Sequence, residues 1–216
     1  MNYFPTAVVD SFLKDPDYAL GLAKRVEYEE PSETDYPGVV SKKSLRDIDK
    51  NLCDYIIEKV LGYYWDTINP IEYNMQIEFQ KIDSKEKGIL NKGIIHIDSA
   101  FAGGVIYLNK RPSRNSGTSF YEYSDIYQEE SEYISFLDTI KQYHSGKDVD
   151  ELEKICKMHY NRFIETMRVQ SQYNRLCMYS GDVFHAPTTY GNQTRYTIRF
   201  FIDQIISEYQ NYPLQR

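Results

Sequence analysis

The sequence predicts a mainly β fold of the α+β class, an antiparallel barrel or jelly roll flanked by helices. Three observations carry that prediction. From residue 70 onward, runs of roughly six β-forming residues are separated by turn-rich loops. Before that point, apolar residues recur at helical spacing. The strand–helix alternation that builds a parallel sheet is missing, and no GxGxxG or Walker pattern occurs. A chain of 216 residues suits one domain, 1–216. Within it, 1–70 read as helical support, 71–123 and 173–206 as β core, and 124–172 as a helical insertion.

Residues 1–10 read as a short strand ending at Asp10. In DPDYALGLAKRVEY, Asp15 caps a helix and Pro16 takes its first position, where a missing N–H costs nothing. EEPSETDYPGVVS is loop, with Tyr36-Pro37-Gly38 as a turn. SLRDIDKNLCDYIIEKVLGYYW reads as one helix, because Leu45, Ile48, Leu52, Tyr55, Ile56 and Val60 share a face. EYNMQIEFQKI alternates, so Met75, Ile77 and Phe79 point one way. After the charged turn DSKEKG come strands KGIIHIDS and GGVIYLNK, then the loop RPSRNSG and the strand TSFYEYS. SEYISFLDTIKQYH and DVDELEKICKMHYNRFIETMR both carry helical spacing, with too little core to stand as a second domain. YNRLCMYSGDVFHAPTTYG reads as strand, Ser-Gly-Asp turn and strand, and TRYTIRFFIDQII closes the β core.

The formal net charge is −7, which argues against nucleic acid as a partner, since phosphate backbones favour a basic surface. Lys110, Arg111 and Arg114 form a local basic loop that reads as a solvated turn. The three cysteines, Cys53, Cys156 and Cys177, lack zinc-ribbon spacing, and Cys156 with His159 is a C-x-x-H without a second half. Sparse, odd cysteines fit a reducing, cytoplasmic setting. The first twenty residues lack a basic region followed by an apolar core, so no signal peptide is expected. No apolar run approaches the roughly 20 residues that span a bilayer, so no membrane partner is expected. The 21 tyrosines supply apolar area with a polar tip, suited to pocket walls and half-buried sheets.

His96 and Asp98 stand one residue apart in an otherwise apolar run, so an extended chain puts both on one face. Of the four histidines, His144 and His159 fall in the helical insertion and His185 in the β core. Two imidazoles and a carboxylate on one side of a metal make a facial triad that leaves three positions of octahedral Fe(II) open. The competing reading is a pair of unrelated core histidines. Arg195 follows His185 by ten residues (195 − 185). An arginine in a strand of Tyr, Ile and Phe requires an anion, and a dicarboxylate would supply it.

The motifs HID, VIYLN, SGTSFYEY, MYSGDVFH and RYTIRFFI, in this order over residues 72–203, resemble the Fe(II)/2-oxoglutarate-dependent dioxygenase superfamily, in its prolyl-4-hydroxylase-like branch. VVDSFLKDPDYALGLA and YPG are similar to an uncharacterised phage and bacterial subgroup. The resemblance implies a double-stranded β-helix (jelly roll, cupin-like) core with N-terminal helices. It implies His96, Asp98 and His185 as metal ligands and catalytic centre, with Arg195 and Tyr107 holding the far carboxylate of 2-oxoglutarate. Thr197 and Arg199 share the face of Arg195. Arg199 stands where such proteins often carry a smaller residue, and reads either as a substrate contact or as an alternative co-substrate anchor. Asp182 reads as structural, and Thr188 and Tyr190 as mouth residues. The implied cofactors are Fe(II) and 2-oxoglutarate as co-substrate, with ascorbate as an accessory. The implied activity is hydroxylation of an amino-acid side chain, in a small molecule or in a peptide or protein, with release of succinate and CO₂. The alternatives are an oxygenase acting on nucleic acid and a non-catalytic jelly-roll binding protein.

Overall fold

Asp15 and Pro16 start the first helix as the sequence requires. In the computed structural model, which describes residues 6–30, 38–63, 71–83, 93–124 and 149–206, the Asp15 carboxylate accepts the Tyr18 N–H at 2.9 Å. That caps α1, Pro16–Ala23, which follows β1, Ala7–Val9. The single helix expected over SLRDIDKNLCDYIIEKVLGYYW is two: α2, Leu45–Ile48, and α3, Lys50–Gly62. Asp49 between them is extended at φ −153°, ψ 97°, and its carboxylate accepts the Leu52 N–H at 2.9 Å. The aspartate side chain competes for backbone donors, stopping one helix and capping the next. Part of the expected loop before them is strand, since β2, Tyr28–Glu29, pairs with β3, Val39–Ser41. Tyr36 and Pro37 of the expected turn lie outside the described residues.

Seven strands form the larger sheet in the order β1-β8-β5-β10-β4-β3-β2, where β4 is Glu72–Ile82, β5 Ala102–Tyr107, β8 Arg175–Ser180 and β10 Arg195–Ile206. The smaller sheet is β7-β6-β9, with β6 Gly117–Tyr123, β7 Phe163–Gln170 and β9 His185–Pro187. All pairings are antiparallel. The period of two sorts β4 and β10 by face. Ile77, Phe79, Ile198, Phe200 and Ile202 join Ala19, Leu20, Ile56 and Val60 of the helices in the main core. Their strand neighbours Glu78, Gln80, Arg195, Thr197 and Arg199 face the smaller sheet. A second cluster, Tyr107, Phe120, Val169, Cys177 and Tyr179, fills part of the space between the sheets.

Two expectations are corrected here. The described part of KGIIHIDS, residues 93–99, makes one isolated bridge, His96 with His185, and no strand. The helical spacing read through residue 168 ends earlier: α4 runs Val149–Tyr160, and β7 begins at Phe163. Pairing of β7 along all of β6 overrides the helix preference of Glu, Met and Arg. SEYISFLDTIKQYH and His144 lie outside the described residues. No helix among the described residues is long and apolar enough to cross a membrane. All three cysteines are free and buried.

α4 covers the outer face of the smaller sheet through Tyr160, which packs with Ile95, Tyr121, Phe163 and Ala186. His159, 2% exposed, sets its Nε2 at 2.9 Å from the Ile95 carbonyl. Since a carbonyl only accepts, Nε2–H donates. Burial pushes this imidazole down to about 4. A histidine whose folded pKa lies below its unfolded value stabilises fully above about pH 6.5, and that share is lost as pH falls toward 4. His159→Gln, which keeps a donor, should therefore flatten the fall of unfolding free energy between these pH values by up to about 1.4 kcal/mol per pH unit. Urea titrations of both proteins at several pH values check this, and parallel curves would contradict it.

Candidate metal centre and cavity

The segment carrying His96 and Asp98 is extended but cannot zip into a ladder. Gly93 N–H donates to the Pro187 carbonyl at 3.1 Å, and Asp98 N–H to the Gly181 carbonyl at 2.8 Å. Between them, His96 and His185 exchange both backbone hydrogen bonds, at 3.0 and 2.9 Å. Three steps from Gly93 to His96 oppose two from Pro187 to His185, and two from His96 to Asp98 oppose four from His185 to Gly181. These mismatched lengths leave a single bridge where a strand was expected. The extended backbone still holds His96 and Asp98 on one face, and the bridge sets His185 directly opposite His96.

The ligating atoms of His96, Asp98 and His185 all lie within 4.8 Å of one another. His96 Nε2 is 3.4 Å from Asp98 Oδ1, and His185 Nε2 is 3.5 Å from Asp98 Oδ2. Each ring is oriented by its own backbone: His96 Nδ1 sits 2.7 Å from the Ile94 carbonyl and His185 Nδ1 2.9 Å from that of Val183. A carbonyl cannot donate, so Nδ1–H donates in both, and in a neutral ring Nε2 keeps its lone pair. Two imidazole lone pairs then face a carboxylate, and Asp98 Oδ2 is buried without a hydrogen bond. Such an arrangement is repulsive unless a cation sits within it. Burial, with His96 nearby, pushes His185 down to about 4, so it is neutral at pH 7. Burial alone would raise the Asp98 carboxyl, but positive charge at His185, His96 and Arg199 outweighs it and holds it below the ordinary value, and with neutral rings a bound cation would supply that charge. Neutral imidazoles and an ionised carboxylate are the protonation states that divalent metals require, and two nitrogens with one oxygen suit Fe(II).

The larger sheet forms the floor beneath these three residues. Gly103 on β5 leaves a hollow for Asp98: a Cβ there would lie 2.8 Å from Asp98 Oδ2. Gly181 allows the chain to pass against Ala100, whose carbonyl would collide with any side chain. The Tyr179 ring lies 4.3 Å from that of His185, centroid to centroid. A cavity of ≈ 590 Å³, including its open mouth, is lined by His96, Asp98, His185, Arg195 and Arg199.

Arg195, 8% exposed, has Nε and Nη1 buried without a hydrogen-bond partner. Its guanidinium lies 5.5 Å from the Tyr107 ring centroid. The Tyr107 hydroxyl pairs with Thr118 Oγ1 at 2.7 Å, and burial keeps it protonated. Thr197 donates to Gln80 Oε1 at 3.2 Å. Arg199 is committed differently: Nε and Nη2 both donate to Glu78 Oε2, at 3.2 and 2.9 Å. So the structure brings the predicted His96, Asp98, His185, Arg195 and Arg199 to one cavity. Tyr107 supports Arg195 from the side, and Thr197 turns to β4. Tyr190 also lines the cavity, while Thr188 pairs with Ser119 at 2.7 Å. Asp182 accepts from Ser180 within its turn, a structural role. Sequence reasoning missed Glu78, Gly103 and Thr118. Only Glu78 left a signal, a charge on the inward face of an alternating strand.

Gly103→Ala should cost about tenfold or more in divalent-metal affinity while the protein stays folded, because the new methyl displaces the Asp98 carboxylate. Metal titration alongside circular dichroism measures this, and unchanged affinity would show that Asp98 needs no hollow.

Comparison with known proteins places this fold on a familiar scaffold. A prolyl hydroxylase from Trichoplax adhaerens, solved with a hypoxia-inducible factor peptide, is 12% identical with a TM-score of 0.53, covering 92% of this chain and 83% of that one. HygX from Streptomyces hygroscopicus, solved with nickel and 2-oxoglutarate bound, is 7% identical with a TM-score of 0.54, covering 92% and 82%. The α-ketoglutarate-dependent epimerase SnoN of nogalamycin biosynthesis is 10% identical with a TM-score of 0.52, covering 94% and 80%. The fold is thus the jelly roll of the 2-oxoglutarate–Fe(II) oxygenases. No curated protein matches the sequence. Residues 2–194 match a sequence family described as a family of unknown function (DUF6445), and the chain belongs to that family.

Proposed function

We propose that this protein is an Fe(II)- and 2-oxoglutarate-dependent oxygenase that hydroxylates an amino-acid side chain, free or within a peptide or protein, with release of succinate and CO₂. One observation carries the reading: three converging ligand atoms within 4.8 Å share a cavity with a buried arginine whose Nε and Nη1 lack partners. A metal would satisfy the first and a carboxylate the second. The nickel and 2-oxoglutarate held by HygX support both assignments.

In this reading His96, Asp98 and His185 would hold the metal at the cavity. Fe(II) with 2-oxoglutarate supplies oxidative decarboxylation and oxygen activation when bound. Arg195 takes the far carboxylate of the co-substrate in a charge-assisted pair. Tyr107 flanks that guanidinium, and its hydrogen bond keeps Thr118 Oγ1 in place on the cavity wall. Arg195 is the anchor rather than Arg199, because its Nε and Nη1 are buried without partners while two N–H groups of Arg199 already donate to Glu78. Tyr179 and Phe201 supply apolar wall that keeps water from the reacting centre.

Iron chelated by a 2-oxo acid absorbs visible light. Under anaerobic conditions, Fe(II) followed by 2-oxoglutarate should produce that band in the wild type. The double variant His96→Ala, Asp98→Ala should show none. A band that survives the double variant would refute the metal assignment. Arg195→Met should weaken 2-oxoglutarate binding by roughly 2–3 kcal/mol. Affinity within twofold of wild type would move the anchor elsewhere.

A further inference from the structure

Arg199 is unexplained by a metal or by a co-substrate anchored on Arg195. It rises from the cavity floor on β10 directly across from Glu78 on β4 and Val105 on β5. Its side chain is 16% exposed and lines the cavity, within electrostatic reach of Asp98. Two of its five N–H groups, on Nε and Nη2, are spent on the single oxygen Oε2 of Glu78. Three remain, both on Nη1 and one on Nη2. Nη1 is not buried without a partner, unlike the atoms of Arg195. The Nη1–Nη2 end is therefore a two-pronged donor held by Glu78 on one side and by the Phe201 ring, 5.6 Å from the guanidinium, on another. That is the geometry that takes a carboxylate.

Charge narrows the occupant. Asp98 and Glu78 balance Arg195 and Arg199. A divalent metal on neutral imidazoles adds two positive charges, and 2-oxoglutarate adds two negative ones, so the loaded site is neutral. A further bare carboxylate would leave it negative in a partly desolvated cavity. A zwitterion would not. We propose that Arg199 holds the carboxylate of the primary substrate, and that this substrate is a free α-amino acid. Its ammonium supplies the compensating charge within the loaded site. This rests on the oxygenase reading and deepens it: a residue inside a peptide has no free α-carboxylate to offer.

The experiment uses the anaerobic protein loaded with Fe(II) and 2-oxoglutarate, and a panel of the common L-amino acids with their C-terminal amides. Binding is read by calorimetry and by change in the visible band. At least one amino acid should bind, and its amide should bind about 10- to 100-fold more weakly. Arg199→Gln should lose a similar factor for that amino acid while holding 2-oxoglutarate within twofold of wild type. Glu78→Gln retains an acceptor for Nε and Nη2 and should keep the preference for the free acid over the amide. Three results overturn the inference: no amino acid binds, acid and amide bind alike, or Arg199→Gln weakens 2-oxobutyrate and 2-oxoglutarate alike by about tenfold or more. The last would assign Arg199 to the carboxylate beside the metal, since 2-oxobutyrate has no distal one. Absence of the Fe(II)–2-oxoglutarate band in the wild type would instead sink the oxygenase reading itself.

Discussion

The backbone bridge between His96 and His185 is the constraint from which the site follows. Two peptide hydrogen bonds, at 3.0 and 2.9 Å, fix two imidazoles opposite each other from segments some 90 residues apart (185 − 96 = 89). The rings add their own restraint, since each Nδ1 is tied to a carbonyl two residues back. Orientation therefore comes from main chain rather than from a shell of polar side chains. Main-chain geometry is insensitive to side-chain identity, so this restraint depends little on which residues surround the rings.

Burying this much charge has a cost that the fold offsets locally. Asp98 lies over a glycine hollow, Arg195 beside an aromatic ring, Arg199 against a carboxylate on the next strand. Only the last is a complete pair. The others are unsatisfied in the protein alone, which is expensive in a core and useful at a binding site. The helices supply the compensating stability. Their apolar faces seal the opposite side of the larger sheet with fully buried Phe79, Ile198 and Phe200. One surface of β10 is thus spent on cohesion and the other on recognition.

Much of this was legible in the sequence. The period of two in TRYTIRFFIDQII separates Arg195, Thr197 and Arg199 from Ile198 and Phe200 without any structure. The helix cap at Asp15 was readable from residue type alone. The errors have physical reasons. Asp49 was read as a helix interior because periodicity ignores side-chain competition for backbone donors. GIIHID was read as a strand because β propensity is blind to mismatched connection lengths. FIETMR was read as helix because β6 pairing is a long-range term. Glu78 and Gly103 were missed because a partner across a sheet, or a hollow beneath a carboxylate, exists only once strands are in register.

That register gives β10 a further meaning. Its pairing with β4 is unbroken from Arg195 to Ile202, and the ladder shifts only between Ile202 and Gln204. A strand with fixed pairing on both edges acts as a ruler. Two graduations apart along one face, it carries the cations that set where each end of a ligand must lie. Loss or gain of one residue between them would put the two arginines on opposite faces and send one of them into the apolar core. Length changes beyond the bulge leave the spacing intact.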